Sequence, residues 1–337
     1  MPQVAVQLIV YRSSKTLPTV LAYLKKQIFK DLILFVQDNS CEILENEKTK
    51  SILDQSGIRY QLTLAEKNIG FTAHNELFKK HDASYTFLLN DDALLMPDYL
   101  EKLVYLMEEK KDCASASGLV LRIPEITDQE IVRPSQDMID TAGLDYKCLA
   151  RITDRFAGCY VRNKRQELKE TQKVFGVSAC AALYRSKAVK EVSPDDTFFD
   201  SSFFMYKEDA ELAVRLKRKN FSSHLVPSAI ALHARSIKSE KYGLRERIKE
   251  ERSRNVRLRI CSYRNQWMIY IYHFSFKLGF KDIALSFFYE KGRSILALVS
   301  SPSVFLKSWA WILSSLSAAL KKRRELKKLG LVSRKLI

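Results

Sequence analysis

The first ninety or so residues alternate between short apolar runs and segments with helical spacing. Residues 4–11 (VAVQLIVY) are β-rich and almost wholly apolar, the pattern of a strand buried on both faces. Leu17, Val20, Leu21 and Leu24 follow at helical spacing, with Pro18 where a first-turn proline is tolerated. Residues 31–36 predict a second strand that ends at Gln37-Asp38-Asn39-Ser40, followed by a helix over 42–55 and a strand over 58–64. A loop over 66–71 opens a helix near 72–81, and the apolar run 85–89 leads straight into Asn90-Asp91-Asp92. Strands that alternate with helices predict a mostly parallel sheet with right-handed crossovers. Ligands of such sheets bind at the carboxyl ends of the strands. Here those ends carry Tyr11-Arg12, Asp38-Asn39 and Asp91-Asp92, so the three segments should open onto one edge.

The pattern then loosens. Residues 122–172 hold Pro124, Pro134, Gly143, Gly158 and many charges without sustained periodicity, which predicts a long excursion with a hairpin and loops. Such regions often carry substrate-binding segments. Residues 174–184 (VFGVSACAALY) are small and apolar and should re-enter the core. The aromatic stretch 198–206 leads to Lys207-Glu208-Asp209, where a helix begins with Ala210, Leu212, Ala213 and Leu216 inward. Residues 225–232 predict a last strand, followed by His233-Ala234-Arg235. Beyond residue 240 come a basic helical run (241–265), an aromatic segment (267–289) and an apolar segment (303–320) with Ser301 as expected N-cap before Pro302. The last segment is shorter than the ~20 apolar residues of a comfortable membrane span. It also contains Lys307 and several serines, so an interfacial amphipathic helix is the expectation.

Composition narrows the class. The chain has 337 residues, 28% charged and 46% hydrophobic, which excludes a wholly disordered or collagen-like protein. That length fits one large domain, or one domain with an appendage. Its 6 cysteines form no C-x-x-C pair, which speaks against a zinc ribbon or disulfide scaffold and for a reducing compartment. The N-terminus shows neither a basic n-region nor a long apolar h-region, so no signal peptide is expected and the cytosol is. The net charge of +17 is unevenly placed. Residues 1–240 carry 34 Lys+Arg against 33 Asp+Glu, whereas residues 241–337 carry 22 against 6. Attraction to polyanions belongs to the C-terminal third.

Each candidate for chemistry has a plain structural alternative. Asp91-Asp92 after a buried strand fits a Mg²⁺ or Mn²⁺ site completed by water and phosphate oxygens, or equally the start of an Asp-rich turn. Asp38 can accept from the imide N–H of a uracil or thymine, or it can cap the following helix. Asn68-x-Gly70, with Asn75 further on, brings backbone close to a ligand or forms a glycine turn before a helix. Glu208-Asp209 suits a helix dipole, or a general base held in a cleft. His233 is a metal ligand or a satisfied polar residue.

The order of these segments decides between the alternatives. Val36-Gln37-Asp38-Asn39-Ser40, Asn68-Ile69-Gly70-Phe71 with Asn75, Leu89-Asn90-Asp91-Asp92, Glu208-Asp209-Ala210-Glu211-Leu212 with Arg215-Leu216, and then His233-x-Arg235 follow one another along residues 4–240. Together they resemble the family-2 glycosyltransferases of the GT-A fold, in particular the rhamnosyltransferase-like branch of bacterial surface-polysaccharide assembly. The resemblance implies an α/β catalytic domain over residues 1–240 with a Rossmann-like mixed sheet. Its nucleotide-sugar-binding half is 1–121 and its acceptor and catalytic half 122–240, followed by a basic, aromatic helical extension over 241–337. It implies an inverting transfer from a nucleoside-diphosphate sugar, dTDP-L-rhamnose first and UDP-sugars next, to a saccharide or lipid-linked saccharide in cell-wall synthesis. By the same resemblance Asp38 and Tyr11 hold the nucleobase, and Asn68, Gly70, Asn75 and Asp91 line the rest of the donor site. Asp92 and His233 bind a divalent cation (Mn²⁺ or Mg²⁺), and Asp209 is the catalytic base with Glu208 beside it. Two positions depart from the family pattern. The NPD-like triplet is Asn90-Asp91-Asp92 here, which leaves the metal and ribose roles undivided between the aspartates. The glycine before the Glu-Asp pair is Lys207.

The extension then has two readings. A basic aromatic surface would hold the enzyme peripherally on the anionic inner face of the plasma membrane, each basic residue contributing ~1 kcal/mol. Alternatively Trp267, Tyr270, Phe274, Phe287 and Phe288 pack as helical core, and different helix faces allow both. Two other functions fit the pattern less well. A nucleic-acid-binding protein would use the basic tail, but carboxylates at the strand ends repel a phosphate backbone, and neither zinc spacing nor an RNA-binding aromatic signature is present. A sugar-phosphate nucleotidyltransferase would open with a glycine-rich loop, whereas Tyr11-Arg12-Ser13-Ser14-Lys15 has no glycine.

Overall fold

The computed structural model describes residues 2–126, 137–234, 252–253 and 255–332. Pro134, Arg235 and residues 241–251 of the basic run lie outside the described residues. The chain opens with β1 (Val4–Val10), α1 (Leu17–Lys25), β2 (Leu32–Asp38), α2 (Ile43–Ser56), β3 (Tyr60–Leu64), α3 (Ala73–Phe78) and β4 (Tyr85–Asn90). Strand β1 is buried along its length but for Ile9, as its unbroken apolar run requires. Helix α1 turns Leu17, Val20, Leu21 and Leu24 inward, the set its spacing marks, with proline in its first turn. Helix α2 ends where Gly57 takes a left-handed conformation at φ 67°. The helix expected over 72–81 is shorter: a 3₁₀ turn at Gly70–Thr72 feeds α3, which stops at Phe78.

The remaining elements are β5 (Ala93–Leu95), α4 (Tyr99–Glu109), β6 (Cys113–Ile123), β7 (Ile139–Thr141), β8 (Leu144–Cys148), β9 (Arg151–Asp154), β10 (Gln172–Val174), β11 (Ala181–Arg185), α5 (Ser186–Glu191), α6 (Glu208–Arg218) and β12 (Ser222–Ala234). The main sheet runs β10-β12-β6-β11-β4-β1-β2-β3, with β5 on β12 and β7 on β6. Pairings β3–β2, β2–β1 and β1–β4 are parallel, as the alternation of strands and helices predicts. Strand β11 lies antiparallel between β4 and β6, which makes the whole sheet mixed. Its direction brings the start of β11 to the carboxyl end of β4: Ala181 pairs with Leu89, and the Asn90 N–H donates to the Cys180 carbonyl at 2.9 Å. The middle excursion contains the β8–β9 hairpin.

Helices α7 (Val256–His273), α8 (Phe280–Ser300), α9 (Pro302–Ser314) and α10 (Leu316–Lys328) follow. The aromatic segment is thus broken between Phe274 and Gly279, and the apolar helix expected over 303–320 divides at Ser315, where α9 and α10 bend by 58°. Ser301 precedes α9 without a capping side-chain bond. Among the described residues no single helix is long and apolar enough to cross a membrane, although α9 and α10 pass that test together by length and composition.

These helices share the core of the sheet domain. Tyr263, Met268, Ile269 and Tyr272 of α7 and Ile312, Ala319 and Leu326 beyond it belong to the same buried cluster as Val4, Leu8 and Leu89. Buried polar links add direction. Glu211 of α6 accepts from His273 Nε2 at 3.0 Å and from Arg215 Nε at 2.8 Å. Arg218 donates to the carbonyls of His273 and Val332, and Arg323 donates to those of Ile271, Tyr272 and Phe274. A helix leaves its last carbonyls without internal partners, and the Arg218 and Arg323 guanidiniums supply them at the end of α7.

Candidate active site

Three acidic stations stand along one edge of the sheet. Asp38 ends β2 in register with Val10 of β1 and is completely buried. Its Oδ1 accepts from the Ser40 N–H at 2.8 Å, while its Oδ2 is buried with no hydrogen-bond partner. A buried carboxylate oxygen left unsatisfied is costly, and a ligand N–H placed there would relieve it. Tyr11, next along from β1, is half exposed, with the Arg12 guanidinium 5.6 Å from its ring centre. Arg12 itself sits at φ 55°, its N–H donating to Ser40 Oγ at 2.9 Å and its guanidinium paired with Glu42.

Asp91 and Asp92 form the turn from β4 into β5. Asp91 accepts from the Ser13 hydroxyl, and burial pushes its carboxyl up to about 6 against the pull of that bond. Asp92 Oδ1 lies 3.0 Å from His233 Nε2, and His233 Nδ1 lies 2.8 Å from Asp140 Oδ2. Asp140 in turn accepts from Arg122 Nε at 2.8 Å. Burial opposes charging His233, but the hydrogen bonds to Asp140 and Asp92 and their charges outweigh it and lift the ring to about 9. Asp140 orients the ring so that Nε2 faces Asp92, the role that carboxylate partners play behind metal-bound histidines. A divalent cation on Asp92 and His233 would have to replace the proton that the two aspartates hold on the ring. Among the described residues no group of three or more His, Cys, Asp or Glu could hold a metal ion. The other positions would fall to water and phosphate oxygens, as is usual for Mg²⁺.

The third station is the start of α6. Tyr206 and Lys207, both non-glycine, adopt φ 72° immediately before Glu208-Asp209. Such left-handed residues cost ~1–3 kcal/mol each and persist only where the surroundings hold them. Asn265 of α7 does so here, its amide donating to the Met205 and Tyr206 carbonyls at 3.0 and 2.8 Å. Arg264 donates to Ser202 O at 2.6 Å and to Asn265 Oδ1 at 2.8 Å. Lys207, in the family's glycine position, thus keeps the glycine-like backbone and sends its Nζ to the Ile152 carbonyl at 2.7 Å. Burial raises the Asp209 carboxyl, with the Ala179 and Ala210 N–H groups pulling the other way. Burial and then the Asp209 charge push Glu208 up to about 8, and its Oε2 is buried without a partner. Ala179 adjoins Cys180, whose carbonyl meets Asn90, so Asp209 stands by the edge that carries Asp91 and Asp92.

The Asn68 loop is placed differently. Asn68 Oδ1 accepts from the Gly70 N–H at 2.8 Å, and Gly70 adopts φ 63°. A Cβ on Gly70 would lie 2.1 Å from the Phe204 carbonyl, so the glycine is required by the aromatic stretch that packs on it. Asn75 is buried, and its amide donates to Phe199 O at 3.0 Å and to Ser201 Oγ at 3.4 Å while accepting from Phe199 N at 2.7 Å. The Asn75 amide thus holds the segment that leads to α6. Asp140 and Asn265 were not found from sequence. A carboxylate between Ile139 and Ala142 is the only signal for the first, and the second lies in a helix whose pattern marks no special position.

Comparison with known proteins agrees with this geometry. The model of glycosyl transferase family 2 matches residues 6–193, which covers β1 through α5 and ends before Glu208. No curated protein matches the chain. Among solved structures, the mannosyltransferase PcManGT from Pyrobaculum calidifontis, in complex with GDP-Man and Mn²⁺, is similar at 12% identity and TM-score 0.54 over 98% of this chain and 86% of that one. GalNAc-T7 with UDP, GalNAc and Mn²⁺ is similar at 11% identity and TM-score 0.54 over 72% of this chain. This chain covers 45% of GalNAc-T7, under half its length. These likenesses are of fold. With the family model spanning more than half of the chain, and with acidic stations at the strand ends of a mixed GT-A sheet, the chain belongs to glycosyl transferase family 2.

Proposed function

We propose that the protein transfers a sugar, with inversion, from a nucleoside-diphosphate sugar to a hydroxyl of a saccharide or lipid-linked saccharide. The observation that carries this reading is the line of Asp38, Asp91-Asp92 and Asp209 along one sheet edge: Asp38 is buried, burial raises the Asp91 and Asp209 carboxyls, and Asp92 meets His233. Asp38 Oδ2 accepts the imide N–H of uracil or thymine, with Tyr11 beside the base. Asp91 adjoins the ribose, and Asp92 with His233 holds the divalent cation that Mn²⁺ in both structural neighbours suggests. When bound, that cation offsets the charge that develops on the departing diphosphate. Asp209 takes the proton of the attacking hydroxyl, and the burial that raises its pKa makes it a stronger base than a solvated carboxylate. Burial and the Asp209 charge raise Glu208 as well, so the pair favours carrying a single negative charge. The donor is dTDP-L-rhamnose in the first instance and a UDP-sugar in the second, for surface-polysaccharide or cell-wall assembly at the inner face of the plasma membrane.

A thermal-shift series with nucleoside diphosphates, with and without Mn²⁺, tests the donor site. Ligand at 100 times its dissociation constant stabilises by ~2.7 kcal/mol, so a metal-dependent shift with UDP or dTDP is the expected result. Asp209→Asn should keep that shift and lose transfer by ~10²–10⁴. No shift with any nucleotide would refute the donor site, and transfer that survives in the variant would refute the base.

A further inference from the structure

Helix α8 faces the protein with its polar side. Its fully buried residues are Ser286, Glu290 and Ser300. Asp282 accepts from the Tyr146 hydroxyl and from the Leu149 N–H, and Ser286 Oγ accepts from the Ala150 N–H at 3.4 Å. Arg293 pairs with Glu290 at 2.8 Å and donates to the Tyr263 carbonyl, and Ser294 Oγ lies 2.8 Å from Tyr263 Oη. Asp282, Ser286, Glu290 and Arg293 recur at helical spacing, so they form one line along α8. On the other side two apolar lines face outward: Phe280, Phe287 and Leu298, and beside them Phe288, Ile295 and Val299. Phe280 is 89% exposed, Phe288 71% and Ile295 63%. A surface helix of a water-soluble domain turns its apolar stripe inward. Here the stripe is turned outward, and Phe276 before the helix and Leu306 and Leu313 after it are exposed as well.

The charges beside the stripe identify what covers it. Lys277, Lys281, Lys291 and Lys307 are all exposed around it, and Lys291 lies 5.4 Å from the Phe287 ring centre. The region from residue 241 on carries 22 Lys+Arg against 6 Asp+Glu. A second copy of this chain would bring the same cations against these, whereas an anionic lipid leaflet takes the apolar stripe into its acyl boundary and the lysines onto its headgroups. We infer that the outward stripe of α8, centred on Phe288 and Ile295, is a docking surface for an anionic lipid leaflet. The inference deepens the proposed function and rests on it for one step. The inward line of α8 meets the part of α7 that holds the turn before Glu208-Asp209: Arg293 donates to the Tyr263 carbonyl, and Asn265, two residues on, donates to the Met205 and Tyr206 carbonyls. The stripe and the contact with α7 therefore lie on opposite sides of one helix, and a lipid-linked acceptor would be met at the bilayer surface.

The test is flotation of the full-length protein with vesicles of phosphatidylglycerol and phosphatidylcholine in about equal parts, and with phosphatidylcholine alone. The wild type should float with the anionic vesicles and bind neutral ones far more weakly. The double variant Phe288→Ser/Ile295→Ser should lose roughly tenfold or more of that binding, since it removes much of the buried apolar area. It should keep its thermal midpoint and its nucleotide-dependent shift, because neither residue belongs to the donor or base machinery. Failure of the wild type to bind anionic vesicles overturns the inference, as does a variant that binds equally well. A lipid-free wild-type dimer that the variant turns into monomer overturns it too, and assigns the stripe to a second copy. The nucleotide shift reads the donor site independently, so loss of the lipid result with that shift intact removes this inference alone.

Discussion

Helix α7 buries Asn265, Met268, Ile269 and His273 against the catalytic domain, whereas α8, after a short break, buries Ser286 and Glu290 and leaves Phe280, Phe288 and Ile295 in the open. Both come from the same basic, aromatic third of the chain. In α7 the contacts combine apolar core with polar links to defined backbone groups, and those links reach the residues that set the base. In α8 the buried positions are polar, and Ala297 is its apolar residue packed on the core. Composition alone would make the two helices one membrane-directed tail. The geometry separates a helix that holds the turn before Glu208-Asp209 from one whose apolar side is turned to solvent.

The largest expected effect lies where α7 meets α6. Glu211, 1% exposed, bridges Arg215 and His273. Glu211→Ala leaves a buried guanidinium without its carboxylate and should cost ~3–5 kcal/mol in urea unfolding. The pH dependence gives a second reading. Burial works against the Glu211 carboxylate, but the Arg215 charge and the His273 hydrogen bond hold its pKa down at about 2, below the ordinary 4.5. Its stabilisation is complete above the ordinary value and is lost as pH falls toward about 2. Glu211→Gln should therefore be destabilised at neutral pH and lose less of its remaining stability than wild type on acidification. A variant as stable as wild type, with the same acid profile, would mean that α7 is held by its apolar face alone.

A smaller effect, but one closer to chemistry, belongs to Asn265. Asn265→Ala leaves the Met205 and Tyr206 carbonyls without donors and should cost ~1–3 kcal/mol. With the clamp gone, Tyr206 and Lys207 can leave φ 72° and carry Glu208-Asp209 out of position. Misplacement of a reacting group by about 1 Å costs ~10²-fold, so kcat should fall by about 10- to 100-fold while donor KM and the nucleotide thermal shift stay unchanged. A parallel loss of donor affinity would make Asn265 an ordinary structural residue and narrow the difference between the two helices.

The parts of this arrangement that the chain makes legible are those carried by long, uniform patterns. Buried parallel strands read as unbroken apolar runs, so β1, β2 and β4 and the carboxylates at their ends follow directly, and with them the edge on which Asp38 and Asp92 stand. Strand β11 is short and its direction is not a property of its residues, so the contact between Cys180 and Asn90 is not. Asp140 sits in the three-residue strand β7 inside a stretch without period. Asn75 matches the motif by spacing, yet three-dimensional packing gives its amide to Phe199. For α8 the spacing reveals two faces and says nothing of which is turned inward, because that depends on the polar groups of Tyr146, Leu149 and Ala150 that meet it.

The smallest expected effect, at Phe288 and Ile295, is the most direct measure of that inversion when set against a core position of α7. Ile269 of α7 is fully buried, and Ile269→Ser removes its side chain from the core and places a hydroxyl there, at a cost of ~2–5 kcal/mol. Phe288→Ser and Ile295→Ser alter side chains that meet solvent, and exposed positions away from caps and networks change stability by less than ~0.5 kcal/mol. Two isoleucines in successive helices, changed to the same residue, should thus differ by at least severalfold in urea unfolding of the lipid-free protein. If Ile295→Ser costs as much as Ile269→Ser, the stripe is already covered in the free molecule, and the two helices face the fold alike. If the costs separate as expected, the apolar side of α8 adds nothing to the folded chain in water, and its large side chains are explained only by an apolar phase that the protein meets elsewhere.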